Sequence, residues 1–92
     1  MIKSFRHPGL QSFFETGSKA GICPEHASRL NRILGILDAA TLIQQVNIPG
    51  LKLHKLTGSL VEFWAVTVNG NWRLTFRFEN GEVMLLDYVD YH

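Results

Sequence analysis

The sequence predicts an α+β domain in which two N-terminal helices pack on one face of a C-terminal antiparallel β-sheet. Two observations carry this. Apolar residues recur at helical spacing up to Pro49-Gly50 and at alternate positions from Leu51 onward. The second half also holds two Asn-Gly pairs, Asn69-Gly70 and Asn80-Gly81, which accept the positive φ of tight turns between antiparallel strands. A chain of 92 residues makes one core and one domain, spanning 1–92.

The elements follow in order. Ile2 to Phe5 forms a short edge strand. Pro8 and Gly17 bracket a first helix in which Leu10, Phe13 and Phe14 share a face. Pro24 suits a first helical residue, and Glu25 suits the positive end of the helix dipole. Ala27, Leu30, Ile33, Leu34 and Leu37 then form the stripe of a second helix, which Asp38 to Val46 either continues or follows with a separate short turn. Strands come next, from LKLHKL, FWAVTV, WRLTFRF and VMLLDYV.

Two-residue loops at both Asn-Gly pairs fix a register. The first sets Val68 opposite Asn71, Ala65 opposite Leu74, Phe63 opposite Phe76 and Glu62 opposite Arg77; the second sets Phe78 opposite Val83 and Arg73 opposite Tyr88. The helix-covered face then carries Phe63, Ala65, Trp72, Leu74, Phe76, Phe78, Val83, Leu85 and Val89. The open face carries Arg73, Arg77, Thr75, Trp64, Tyr88 and the terminal His92. Asp87 and Tyr91 fall on the apolar side; for Asp87 this is a cost unless a bulge or a partner relieves it, and Tyr91 shares a site with His92 only if the strand twists or bulges at its end.

Composition narrows the function. Nine Lys plus Arg against eight Asp plus Glu give a net charge of +1, so any anion site must be local. One cysteine, Cys23, excludes an internal disulfide and fits a reducing cytoplasm. No run approaches the ~20 apolar residues of a membrane span, so a soluble protein is expected. Four scattered histidines (His7, His26, His54 and His92) lack metal-ligand spacing, and no metal or other cofactor is expected. There is no phosphate loop, no G-x-S-x-G and no Cys-His pair at recognisable spacing.

What remains is a set of polar side chains around an open sheet. Arg73 is mid-strand with no acid opposite it, and its rigid fork of donors suits a phosphate. Arg77 fits a cross-strand ion pair with Glu62. His54 alternates onto the polar side of its strand, and His92 ends the sequence beside Tyr91. Histidine titrates near neutral pH, so this set suits RNA cleavage without a metal, in which the substrate's 2′-hydroxyl is the nucleophile.

The segments MIKSF, LDAAT, KLH, VNGNWRLTF and DYVDYH resemble those of HigB toxins, a branch of the RelE superfamily, over essentially the whole chain. The resemblance implies a RelE-like fold and a type II toxin that enters the ribosomal A site and cuts the translated mRNA in the cytoplasm. A HigA-like antitoxin with a helix-turn-helix domain is the implied partner. Carried over by motif, Arg73, Tyr91, His92 and His54 are the catalytic candidates. Lys55, Lys52, Arg77 and Tyr88 are candidates for holding RNA. The family's lysine before the glycine is replaced here by Thr57, before Gly58, and Lys55 substitutes for it only if the loop bends. Lys3, Arg6, Lys19, Arg29 and Arg32 are further candidates for ribosomal RNA contacts. Two rival readings are a gyrase-inhibiting toxin of the ParE type, with the same fold and no RNA cleavage, and a non-catalytic protein-binding module.

Overall fold

The computed structural model describes residues 1–58 and 62–91. Helix α1 covers Pro8–Thr16; the His7 ring nitrogen Nδ1 accepts the Leu10 N–H at 2.9 Å as an N-cap, and Gly17 closes the helix with a left-handed φ of 81°. Leu10 and Phe13 are buried, whereas Phe14 lies at the rim against Phe5. Pro24–His26 is a 3-10 turn, and α2 follows over Ala27–Ala39, burying Leu30, Ile33, Leu34 and Leu37. The stretch after Asp38 contains a separate 3-10 turn, Ile43–Val46. No helix among the described residues is long and apolar enough to cross a membrane.

Gly9 in α1 and Gly21 in the following loop touch backbone to backbone, and a Cβ on either would collide with the other. Gly9→Ala is therefore expected to push α1 off the loop and to lower stability by about 1–3 kcal/mol in urea denaturation.

The sheet contains β1 (His54–Lys55), β2 (Phe63–Asn69), β3 (Trp72–Glu79) and β4 (Glu82–Asp90), antiparallel and ordered β1-β2-β3-β4. Only His54 and Lys55 of the expected LKLHKL strand pair with β2, because Lys52 adopts a φ of 54° that breaks the extended run. Leu51 still offers its carbonyl to the Thr67 N–H at 2.7 Å. The opening segment runs parallel to β4 through bridges Ile2 to Val83 and Phe5 to Leu86, covering the edge that β4 would otherwise expose.

Both hairpins depart from the plain register. In the first, the loop is Gly70-Asn71 rather than Asn69-Gly70, and Val68 is the extra residue of a bulge between Thr67 and Asn69. The bulge frees the Val68 carbonyl, which Arg29 of α2 satisfies at 2.8 Å. Upstream the pairing slips by one: Ala65 faces Thr75, Trp64 faces Phe76, and Phe63 faces Arg77. A slip of one residue exchanges the faces of a strand. Trp64, Val66 and Val68 therefore pack on the helices, and Phe63 and Ala65 move to the opposite face, correcting the predicted arrangement.

The second hairpin turns at Asn80-Gly81 as predicted, with φ of 52° and 76°. Phe78 faces Val83, but a bulge opposite Phe76 then shifts the ladder, so that Arg73 faces Val89 and Leu74 faces Tyr88. Leu85 takes a φ of 56° there, and its N–H donates to Ser4 Oγ at 2.9 Å. Downstream of this bulge the parity of β4 is inverted. Asp87 and Val89 leave the apolar face, and Tyr88 enters it. The core accordingly runs from Leu10, Leu30, Ile33, Leu34 and Leu37 through Val66, Leu74 and Phe76 to Val83 and Leu86.

Candidate active site

The face away from the helices is crossed by two rows of side chains. One runs His54, Ala65, Thr75, Asp87; the next runs Thr67, Arg73, Val89. Arg73 is not mid-strand as expected but the second residue of β3, beside the first hairpin turn, and its Nη1 donates to the carbonyls of Gly70 at 2.6 Å and Trp72 at 3.1 Å. These bonds draw the guanidinium toward the first hairpin turn and leave its other donors for a ligand. At that same end the Tyr91 N–H donates to the Asn71 carbonyl at 2.8 Å. Tyr91 continues the parity of Asp87 and Val89, so the β4 bulge brings it to the open face as a diagonal neighbour of Arg73, with 42% of its surface exposed. The register with no bulge had put it on the core side.

His54 is exposed on β1, and its Nδ1 lies 2.9 Å from the Lys52 carbonyl. A carbonyl can only accept, so Nδ1 carries a proton and Nε2 is the ring nitrogen left facing a ligand. The φ of 54° at Lys52 aims that carbonyl back at the ring. His54 and Arg73 stand two ladder spacings and two residues apart, roughly 12 Å between Cα atoms, a span that two long side chains bridge with a nucleotide between them.

The other candidates divide. Arg77 is held between Glu62, at 3.1 Å, and Glu79, so its charge is largely matched within the protein. Lys55 pairs with Trp64 and lies 5.4 Å from its ring centroid, on the parity opposite to His54. Lys52 is exposed beside His54. His92 lies outside the described residues.

Tyr88 requires a correction. It is 4% exposed and sits under the sheet, because the bulge at Leu85 reverses its side. Its ring packs on Trp72 at 4.6 Å, and its hydroxyl meets the His26 Nδ1 at 2.5 Å. Burial, reinforced by a hydrogen bond with the Cys23 side chain, pushes the hydroxyl's ionisation far up. A buried neutral phenol anchors the end of β4 and presents nothing to RNA.

Two residues reach the open face where sequence reasoning had not placed them, although Arg6 was named as a ribosomal RNA candidate and Asp87 was set on the apolar side. Arg6 extends over the Phe63 ring at 5.2 Å, an interaction that arises only when Phe63 is turned outward. Asp87 is the second, delivered by the same bulge that delivers Tyr91. The apolar cost noted for Asp87 was the one local signal pointing to it.

Comparison with known proteins agrees with this architecture. A family model described as the RelE-like toxin of the type II toxin-antitoxin system HigB matches residues 3–92. The Endoribonuclease HigB of Proteus vulgaris is 45% identical over 92 residues, covering the whole of both chains. Toxin HigB-1 of Vibrio cholerae is 33% identical over 94 residues, covering all of this chain and 98% of that one. Membership in a type II toxin-antitoxin family implies an antitoxin as partner. The chain belongs to the HigB-like family of RelE-like toxins.

Proposed function

We propose that this protein is an endoribonuclease toxin that cuts mRNA during translation in the ribosomal A site, acting in the cytoplasm and restrained by a HigA-like helix-turn-helix antitoxin. The observation that carries the reading is the presence of Arg73, Tyr91 and His54 on one exposed sheet face. The 2′-hydroxyl of the substrate attacks the adjacent phosphorus, and the 5′-oxygen leaves. Arg73 stabilises the charge that develops on the phosphorane oxygens. His54, whose Nε2 is left for a ligand while Nδ1 is occupied by Lys52, takes the 2′-hydroxyl proton. Tyr91, on the same face as Arg73, supplies the orienting hydroxyl, and His92 the proton for the leaving oxygen. Lys52, exposed beside His54, contributes charge near the RNA backbone, whereas Lys55 is turned to the other side against Trp64 and does not take the role that Thr57 leaves open.

The test is incubation with ribosomes translating a defined mRNA. Cuts within codons in the A site are expected, and co-expression of the partner antitoxin should restore growth. His54→Ala should slow single-turnover cleavage by about 10²-fold or more, the usual contribution of a positioned acid-base group. Intact mRNA together with growth arrest and DNA damage would instead indicate gyrase inhibition.

A further inference from the structure

Beside the Arg73 face lies a cleft of about 130 Å³ between α2 and the loop before β1, lined by Arg29, Arg32, Gly50, Leu51 and Thr67. That is roughly the room of four water molecules. Arg29 and Arg32 are three residues apart on α2 and so share one side of the helix. Arg29 is fixed by its bond to the Val68 bulge carbonyl, which holds its guanidinium in place and leaves further N–H groups unused. Arg32 has no carboxylate within ion-pair distance among the described residues. Glu25 lines the adjoining depression with Ser28 and the same two arginines, yet forms no ion pair with them. Gly50, with a φ of 94° and open space where a Cβ would stand, keeps the mouth clear. The far wall is Thr67, the direct cross-strand partner of Arg73.

We propose that this cleft holds a backbone phosphate of RNA, with Arg29 and Arg32 as the paired donors and Thr67 as a hydroxyl donor. Two neighbouring guanidinium groups with no internal carboxylate are matched by an anion that accepts on several oxygens, which a phosphate does. RNA is favoured over an acidic protein because of position. A strand whose scissile linkage rests on Arg73 passes Thr67 with its neighbouring phosphates. In this respect the inference rests on the proposed nuclease reading. The cleft would then be a register stop that sets which linkage meets Arg73.

The test uses the full-length protein and an mRNA made uncleavable by 2′-O-methyl ribose. Binding is measured for this RNA alone, for ribosomes carrying it and for empty ribosomes, across a salt series. Arg32→Gln, at a side chain with no hydrogen bond among the described residues, is expected to weaken binding about five- to tenfold and to flatten the salt slope by about 0.7 for a single-stranded contact. Arg32→Glu should weaken it further, with circular dichroism unchanged in both. Loss on RNA alone assigns the phosphate to the message and supports the proposal; loss on loaded and empty ribosomes alike, with none on RNA alone, assigns it to ribosomal RNA and overturns the register role. Unchanged affinity and slope in all arms would overturn the proposal, as would a loss seen only in antitoxin binding. If the wild-type protein cuts no mRNA on ribosomes, the nuclease reading fails; if it cuts while Arg32→Gln binds normally, only the cleft assignment fails.

Discussion

Arg73→Ala is expected to lower the rate of mRNA cleavage by at least about 10²-fold while the protein stays folded, the scale of loss when a preorganised charge on a transition state is removed. The separation of effects follows from the geometry. The side chain lies on the open face, and its internal bonds go to the carbonyls of Gly70 and Trp72; Gly70 is exposed, so water replaces the lost donor there. Loss should therefore fall on the chemical step, measured in single turnover with saturating protein, with a denaturation midpoint close to wild type. Arg73→Lys should recover only part of the rate, because an ammonium keeps the charge and loses the fork. An unfolded Arg73→Ala protein would show that the arginine belongs to the scaffold and would remove it from the site.

Phe76→Ala should do the reverse and unfold the domain. Phe76 is fully buried at the centre of β3, opposite Trp64 on one side and the Leu85-Leu86 bulge on the other. Truncating a buried phenylalanine costs about 3–5 kcal/mol through lost transfer energy and the cavity left behind. A domain of this length has only about 5–15 kcal/mol in total, so the variant is expected to be largely unfolded at 37 °C. Urea titration would show a midpoint displaced to low denaturant, or no folded baseline at all. Phe76→Leu, which fills part of the space, should retain a cooperative transition.

The contrast between these two residues was legible in the sequence, since strict alternation in WRLTFRF assigns both faces of β3 correctly. The helices were legible from apolar spacing, and the Asn80-Gly81 turn from its own chemistry. The two bulges were not. Each depends on a partner remote in sequence, Arg29 for the Val68 carbonyl and Ser4 for the Leu85 N–H, and local pattern carries no trace of either. The consequence was an exchange of Phe63 and Ala65 with Trp64, and of Tyr88 with Tyr91. The cost of Asp87 on an apolar face asked only for a bulge or a partner, and the structure supplies the bulge. His54 and Arg73 sit on strand segments whose side is unaffected by the β4 bulge, so the side each occupies was readable in the sequence while that of Tyr91 was not.

The pairing of Ser4 with Leu85 joins positions 81 apart in the chain. During synthesis the opening segment is made first and waits for the last strand before it has anything to bind. Loop closure over that distance comes late, and the inverted parity that exposes Tyr91 cannot be set until it occurs. A nascent or truncated polypeptide ending before β4 thus carries Arg73 without a completed surface around it, and Tyr91 joins that surface only once β4 is in place.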